Sequence, residues 1–169
     1  MTAEGGTVMD MVQEARQSIP VNVEALARRM GVHVAYKPLP DNISGYVHRN
    51  NESWAVVVNS LHGLARRRFT LAHELGHFVW HRRVLGDGTN DTKKYRAEAG
   101  YDFYNDAIDH KHEREANQFA AALLMPSEMV RHVHRTAGVN DPRRLAALFG
   151  VSPRAMEIRL DNLSKRGEL

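Results

Sequence analysis

The sequence of 169 residues contains no cysteine, which excludes disulfides and thiolate metal sites, so any metal must be held by histidine and carboxylate. The same absence fits a reducing compartment. No apolar run approaches the roughly 20 residues needed to span a bilayer, and residues 1–13 lack a cationic region followed by an apolar core. Together these absences predict a soluble, cytoplasmic protein with no membrane partner. An excess of one sign of charge is nearly lacking too: 23 Lys and Arg against 20 Asp and Glu leave a formal +3. The basic residues are spread along the chain, which permits contact with nucleic acid without arguing for it. Their densest run, Arg66-Arg67-Arg68, reads as solvated and salt-bridged arginines.

What is present suffices for one hydrophobic core, since a chain of this length with 43% hydrophobic residues buries roughly 70% of its unfolded surface. The richest stretch is residues 68–81, which contain His73-Glu74-Leu75-Gly76-His77, a His-Glu-x-x-His pattern. Side chains four apart share a helix face, so His73 and His77 reach one ion from adjacent turns. Glu74 lies about 100° round the helix from His73, where it can face a metal's water as a general base without being a ligand. Leu71, Leu75, Phe78 and Val79 recur at helical spacing and mark a separate apolar stripe. Gly76 costs about 1 kcal/mol inside a helix relative to Ala, and such a residue usually marks close approach by another element.

A catalytic zinc normally takes three protein ligands and leaves the fourth position for water, which calls for a later carboxylate. Residues 112–126 form a strong helix pattern ended by Pro126. Glu113, Ala116, Asn117, Ala120 and Leu124 fall on one face of it, whereas Glu115 points to another. The small residues let this helix approach Gly76, which makes Glu113 the third ligand. Asn117, one turn on, is placed to hydrogen-bond a ligating histidine and orient it.

These two motifs, residues 67–77 and 113–126, resemble the ImmA/IrrE family of bacterial metallopeptidases, and the likeness covers most of the chain. The resemblance implies a zincin-type fold and a peptidase that cleaves helix-turn-helix repressors of the XRE type, relieving repression in response to DNA damage or mobile-element signals. On matching positions His73, His77 and Glu113 would bind Zn²⁺, or Mn²⁺ or another divalent ion, and Glu74 would be the catalytic base.

Along the chain, residues 1–6 are small and polar and read as disordered. Helices are expected over 8–16 and 23–30, with Asn22 as a cap. Strands are expected over 32–36, 44–48 and 54–58, the last two as a hairpin. The fold class is therefore α+β and zincin-like, with a small, mainly antiparallel three-stranded sheet packed on the His-Glu-x-x-His helix and a second ligand helix. One edge of such a sheet can pair with an extended peptide, and Gly45 would allow close approach. Asn59-Ser60 supplies a cap for a long helix over 61–82. His81 falls about 80° away from His73, so it reads as exposed, as do His48, His62, His132 and His134.

Residues 84–109 are a long polar loop expected to overhang the site. Tyr95, Tyr101, Tyr104, His110 or His112 could stabilise a developing oxyanion, and the sequence does not choose among them. The chain divides into a core over 1–126 and a helical extension over 127–169 packed upon it. In that extension two cap-then-proline starts, Asp141-Pro142 and Ser152-Pro153, frame a helix-turn-helix-like pair with Arg154, Arg159, Lys165 and Arg166 as its basic side. Direct DNA binding by this pair is possible but not favoured. The expected function is metal-dependent endopeptidase action on a protein substrate. The rivals are a metal-stabilised regulator that binds DNA or a repressor without turnover, and a toxin-like protein neutralised by a partner.

Overall fold

The computed structural model of the protein describes residues 6–50, 52–85, 109–136, 138 and 141–169. Short helices α1 (Val8–Ala15) and α2 (Val23–Arg29) lead into strand β1 (Val32–Lys37). Strands β2 (Gly45–Asn50) and β3 (Ser53–Asn59) follow, then the long helix α3 (Leu64–Leu85). Helices α4 (His110–Leu124), α5 (Ser127–Thr136), α6 (Pro142–Phe149) and α7 (Pro153–Lys165) complete the described chain. No helix among the described residues is long and apolar enough to cross a membrane.

The sheet has three strands in the order β1-β3-β2 and is mixed rather than mainly antiparallel. β2 and β3 form the expected hairpin, with Val47 opposite Val56, whereas β1 runs parallel to β3, with Val34 opposite Val56. The reason lies in the link from β1 to β2, which carries the chain back past β3 and leaves β3 between them. Asn59 organises that link. Its wholly buried side-chain amide donates to the carbonyls of Leu39, Pro40 and Ile43 and its Oδ1 accepts from the backbone N–H groups of Leu39 and Leu61. Asn59 therefore caps no helix. It closes a local turn onto Leu61, as Asn side chains do in competition with helix capping, and α3 begins only at Leu64. As the central strand, β3 is covered on both faces, which explains its unbroken buried Val56-Val57-Val58.

One hydrophobic cluster joins these layers. It takes Leu71, Leu75 and Phe78 from α3, Phe119, Leu123 and Leu124 from α4, and Phe149, Met156 and Leu163 from α6 and α7. The C-terminal pair starts and turns as its caps dictate: Asp141 accepts from Arg143 N, Gly150 ends α6 at φ 65°, and Ser152 accepts from Ala155 N. Two arginines fasten it down. Arg68 donates to Gly150 O (3.0 Å) and Val21 O (2.9 Å), and Arg159 donates to Met125 O (2.9 Å).

Candidate metal centre

Helix α3 carries His73, Glu74, His77 and His81 into the interior; Glu74 is 3% exposed, His77 0% and His81 4%. Helix α4 lies close against it because Gly76 has no side chain. A Cβ there would stand 3.2 Å from Ala116 Cα and 3.1 Å from Phe119 Cβ. The sequence points to Ala116 and Ala120 as the small residues of this contact, and the structure puts Ala116 and Phe119 there. That approach brings the first turn of α4 beside the histidines. Asp109 caps this turn by accepting from the N–H groups of Lys111 and His112.

The geometry at the helix crossing is that of a donor cluster. His73 Nε2 and His77 Nε2 lie 3.2 Å apart, and Glu113 places Oε2 3.4 Å from the first and Oε1 3.8 Å from the second. A tetrahedral ion with ligand distances near 2.1 Å holds its donors about 3.4 Å apart. The donor set of two imidazoles and one carboxylate therefore fits a divalent cation in both chemistry and spacing, and His73, His77 and Glu113 form a group that could hold a metal ion. His73 Nδ1–H donates to Asn117 Oδ1 at 2.9 Å, which leaves the Nε2 lone pair directed into the cluster. The structure thus brings His73, His77, Glu113 and Asn117 together, with Glu74 buried on the same helix.

His81 is buried rather than exposed, because the start of α4 extends along α3 beyond the donor cluster and covers it. Its Nδ1 lies 3.0 Å from His77 Nδ1 and its Nε2 lies 2.9 Å from Glu115 Oε2. Glu115, off the ligand face, meets α3 one turn further on. The hydrogen bond from His81, with help from the nearby Lys111, holds the Glu115 carboxyl below its ordinary pKa against a smaller opposing effect of desolvation. The i+4 step from His77 to His81 carried this signal, and a reading confined to one ion passes over it. Of the other histidines, His132 is exposed while His48, His62 and His134 are partly buried.

His112 is engaged at the start of α4. Its Nδ1 accepts from Asp109 N at 3.2 Å and its ring sits 4.6 Å from that of His81, while His110 is exposed. Tyr95, Tyr101, Tyr104 and residues 86–108 of the 84–109 stretch expected to overhang the site, like residues 1–5, lie outside the described residues. The arginine run also reaches neutral partners. Arg66 donates to Ser44 Oγ (2.9 Å), Arg67 lies over the Tyr36 ring (5.6 Å) and Arg68 serves the two carbonyls named above. In the C-terminal pair Arg154 pairs with Glu157 (3.3 Å), Lys165 with Asp161 (2.6 Å) and Arg166 with Glu168 (4.0 Å), while Arg159 is half-buried on Met125 O.

Residues 27–161 match the IrrE N-terminal-like domain family, Peptidase_M78. The chain belongs to this family. Membership supports a metallopeptidase and implies a divalent metal, for which the His73, His77 and Glu113 cluster is suited. Among relatives of this IrrE-like chain is the "Uncharacterized immunity region protein 2" of Bacillus phage phi105. It is 29% identical over 144 residues, covering 85% of this chain and 80% of that protein. A solved structure described as a Mycobacterium tuberculosis transcriptional regulator superposes with a TM-score of 0.58 at 19% identity. That match covers 92% of this chain and 47% of the other, so this chain spans about half the length of that regulator and the likeness is one of fold.

Proposed function

We propose that the protein is a zinc-dependent endopeptidase of the cytoplasm that cuts a protein substrate, in the first place a helix-turn-helix repressor, and so relieves repression. The observation that carries this reading is the convergence of His73, His77 and Glu113 beside the buried Glu74. Zn²⁺ held by these three residues would supply Lewis acidity, polarising the scissile carbonyl and lowering the pKa of a water toward about 7. Glu74 then takes the water's proton and returns it to the leaving amine. A purely structural site has no use for an ionised carboxylate beside the metal. Asn117 keeps His73 in the tautomer whose Nε2 carries the lone pair for a metal.

Substrate geometry follows from the sheet. β2 is an edge strand, and an extended peptide could add beside it. Its first residue, Gly45, abuts Thr70, three residues before His73. The glycine is explained by that helix contact rather than by the peptide, because a Cβ would stand 2.6 Å from both Thr70 Cγ2 and Val57 O. Residues 127–169 extend the 1–126 core and share its buried cluster. Support for a repressor substrate comes from the likeness to a phage immunity region protein.

The test is to incubate Zn²⁺-loaded protein with purified helix-turn-helix repressors, including any encoded beside its gene, and to map fragments by mass spectrometry. Glu74→Gln is expected to keep the metal and abolish cleavage, because an amide cannot accept the water's proton. His73→Ala and His77→Ala are expected to lose both. Full activity in Glu74→Gln, or tight metal binding in both histidine variants, would overturn the assignment.

A further inference from the structure

Helix α3 carries a third histidine, and the chain of contacts from it runs in one direction. Glu115 Oε2 stands 2.9 Å from His81 Nε2, and His81 Nδ1 stands 3.0 Å from His77 Nδ1. A carboxylate is only an acceptor, so His81 must donate its Nε2–H to Glu115. A neutral His81 then has a lone pair at Nδ1, which can only accept. His77 must supply the proton from its own Nδ1, and its remaining lone pair sits on Nε2, 3.2 Å from His73 Nε2. The opposite sense would place a proton on His77 Nε2, in the middle of the donor cluster, where no ion could bind.

We propose that Glu115 and His81 form a positioning relay that fixes the His77 proton on Nδ1 and holds its Nε2 toward the metal. Both ligating rings are thus oriented from behind, by different devices: His73 by one amide on α4, and His77 by a second imidazole anchored to a carboxylate on α4. Burial explains the longer device. His77 is wholly buried and His81 is 4% exposed, so bulk water does not reach His77 Nδ1 and a protein group is the partner at hand. His73 stands near the surface, with 12% of its side chain exposed, and can be served by the exposed Asn117. Glu115, with about a third of its side chain exposed, carries the charge at the wet end of the chain. Removing outer partners of this kind costs about 10 to 100-fold in metal affinity.

The inference rests on the proposed metal site, and the experiment separates the two. The dissociation constant for Zn²⁺ is measured by chelator competition, with thermal unfolding of the metal-free protein measured in parallel, for wild type, His81→Ala, His81→Asn, Glu115→Ala and the double variant His81→Asn/Glu115→Ala. The side-chain oxygen of Asn reaches where Nδ1 of His81 stands, so it can accept from His77 without needing Glu115. His81→Ala should bind Zn²⁺ about 10 to 100-fold more weakly and Glu115→Ala about tenfold more weakly. His81→Asn should recover most of the loss, and Glu115→Ala should have no further effect in that background. A merely structural role for His81 would move the unfolding temperature without this pattern of rescue and silence. If wild type binds Zn²⁺ and both His81→Ala and Glu115→Ala stay within about twofold of it, or if His81→Asn binds as weakly as His81→Ala, the relay is wrong and the metal site stands. If wild type binds no Zn²⁺, the metal site fails and the relay with it.

Discussion

Gly76 and Ala116 meet backbone to backbone: a Cβ on the glycine would stand 3.2 Å from Ala116 Cα. This contact sets the separation of α3 and α4, and hence whether Glu113 on one helix reaches the histidines on the other.

Replacing Gly76 by Ala therefore opposes two effects. Ala improves helix propensity by about 1 kcal/mol. Against that, its methyl must displace a helix backbone and the Phe119 side chain by a few tenths of an ångström, and overpacking of a tight core costs about 1–3 kcal/mol. Because one of the crowded atoms is Ala116 Cα, which cannot turn aside as a side chain can, the second effect is expected to win. Denaturant unfolding should show Gly76→Ala less stable by about 1 kcal/mol, with Zn²⁺ affinity falling as Glu113 moves away. A gain of the full propensity increment would mean that the helices have room to spare.

Tyr36 gives a pH prediction. Its hydroxyl donates to Glu24 Oε1 at 2.6 Å, and burial first, then the Glu24 hydrogen bond and charge, push its pKa from 10.0 up to about 12. A folded pKa above the unfolded one contributes stability that is fully present below pH 10 and lost as pH rises through about 12. Between those values wild type should lose stability more steeply than Tyr36→Phe. Ultraviolet titration should also show a late-ionising tyrosine that is lost in Tyr36→Phe. Equal alkaline slopes for the two proteins would refute the link.

Much of this architecture was legible because its signals are local. The spacing of His73 and His77, the Asp141-Pro142 and Ser152-Pro153 starts and the turn at Gly150 depend only on neighbours in the chain. The misreadings share a different cause. The neighbour of β1 in the sheet depends on how residues 38–44 return, which Asn59 decides through contacts 16 to 20 residues away. The burial of His81 depends on how far α4 runs along α3, which angular position on one helix cannot reveal. From charge alone Arg68 and Arg159 look like basic surface, but each reaches a backbone carbonyl of a distant segment.

Arg159 sharpens the question of DNA binding. Its charge is directed at Met125 O from a half-buried position, and Arg154 and Lys165 face acidic partners on their own helix. Arg159→Ala should act on stability, by about 1.5–3 kcal/mol for a charge-assisted hydrogen bond to a buried carbonyl. Fluorescence anisotropy with duplex DNA should show no salt-sensitive affinity in wild type for this change to reduce. Binding whose logarithm falls steeply with the logarithm of salt concentration, and which Arg154→Ala weakens, would instead give the C-terminal pair a nucleic-acid role.

Asn117 offers the most discriminating substitution series, since its side chain meets His73 at an exposed position where a change need not disturb the core. The His73 Nδ1–H donates to its Oδ1 at 2.9 Å, so the required property is an acceptor at that point. Asp supplies a stronger, charged acceptor of the same shape and should hold Zn²⁺ at least as tightly as wild type, by making the ligating imidazole more basic. Ala removes the acceptor but admits water, so the loss should fall near the lower end, about tenfold. Leu removes the acceptor and also excludes the water, which leaves the His73 N–H unsatisfied and should weaken binding further than Ala does. The predicted order of affinity is Asp at or above Asn, then Ala, then Leu. If Asn117 served only to space the helices, Leu would bind as well as Asn and Asp would show no advantage, and a chelator titration of the four proteins tells these patterns apart.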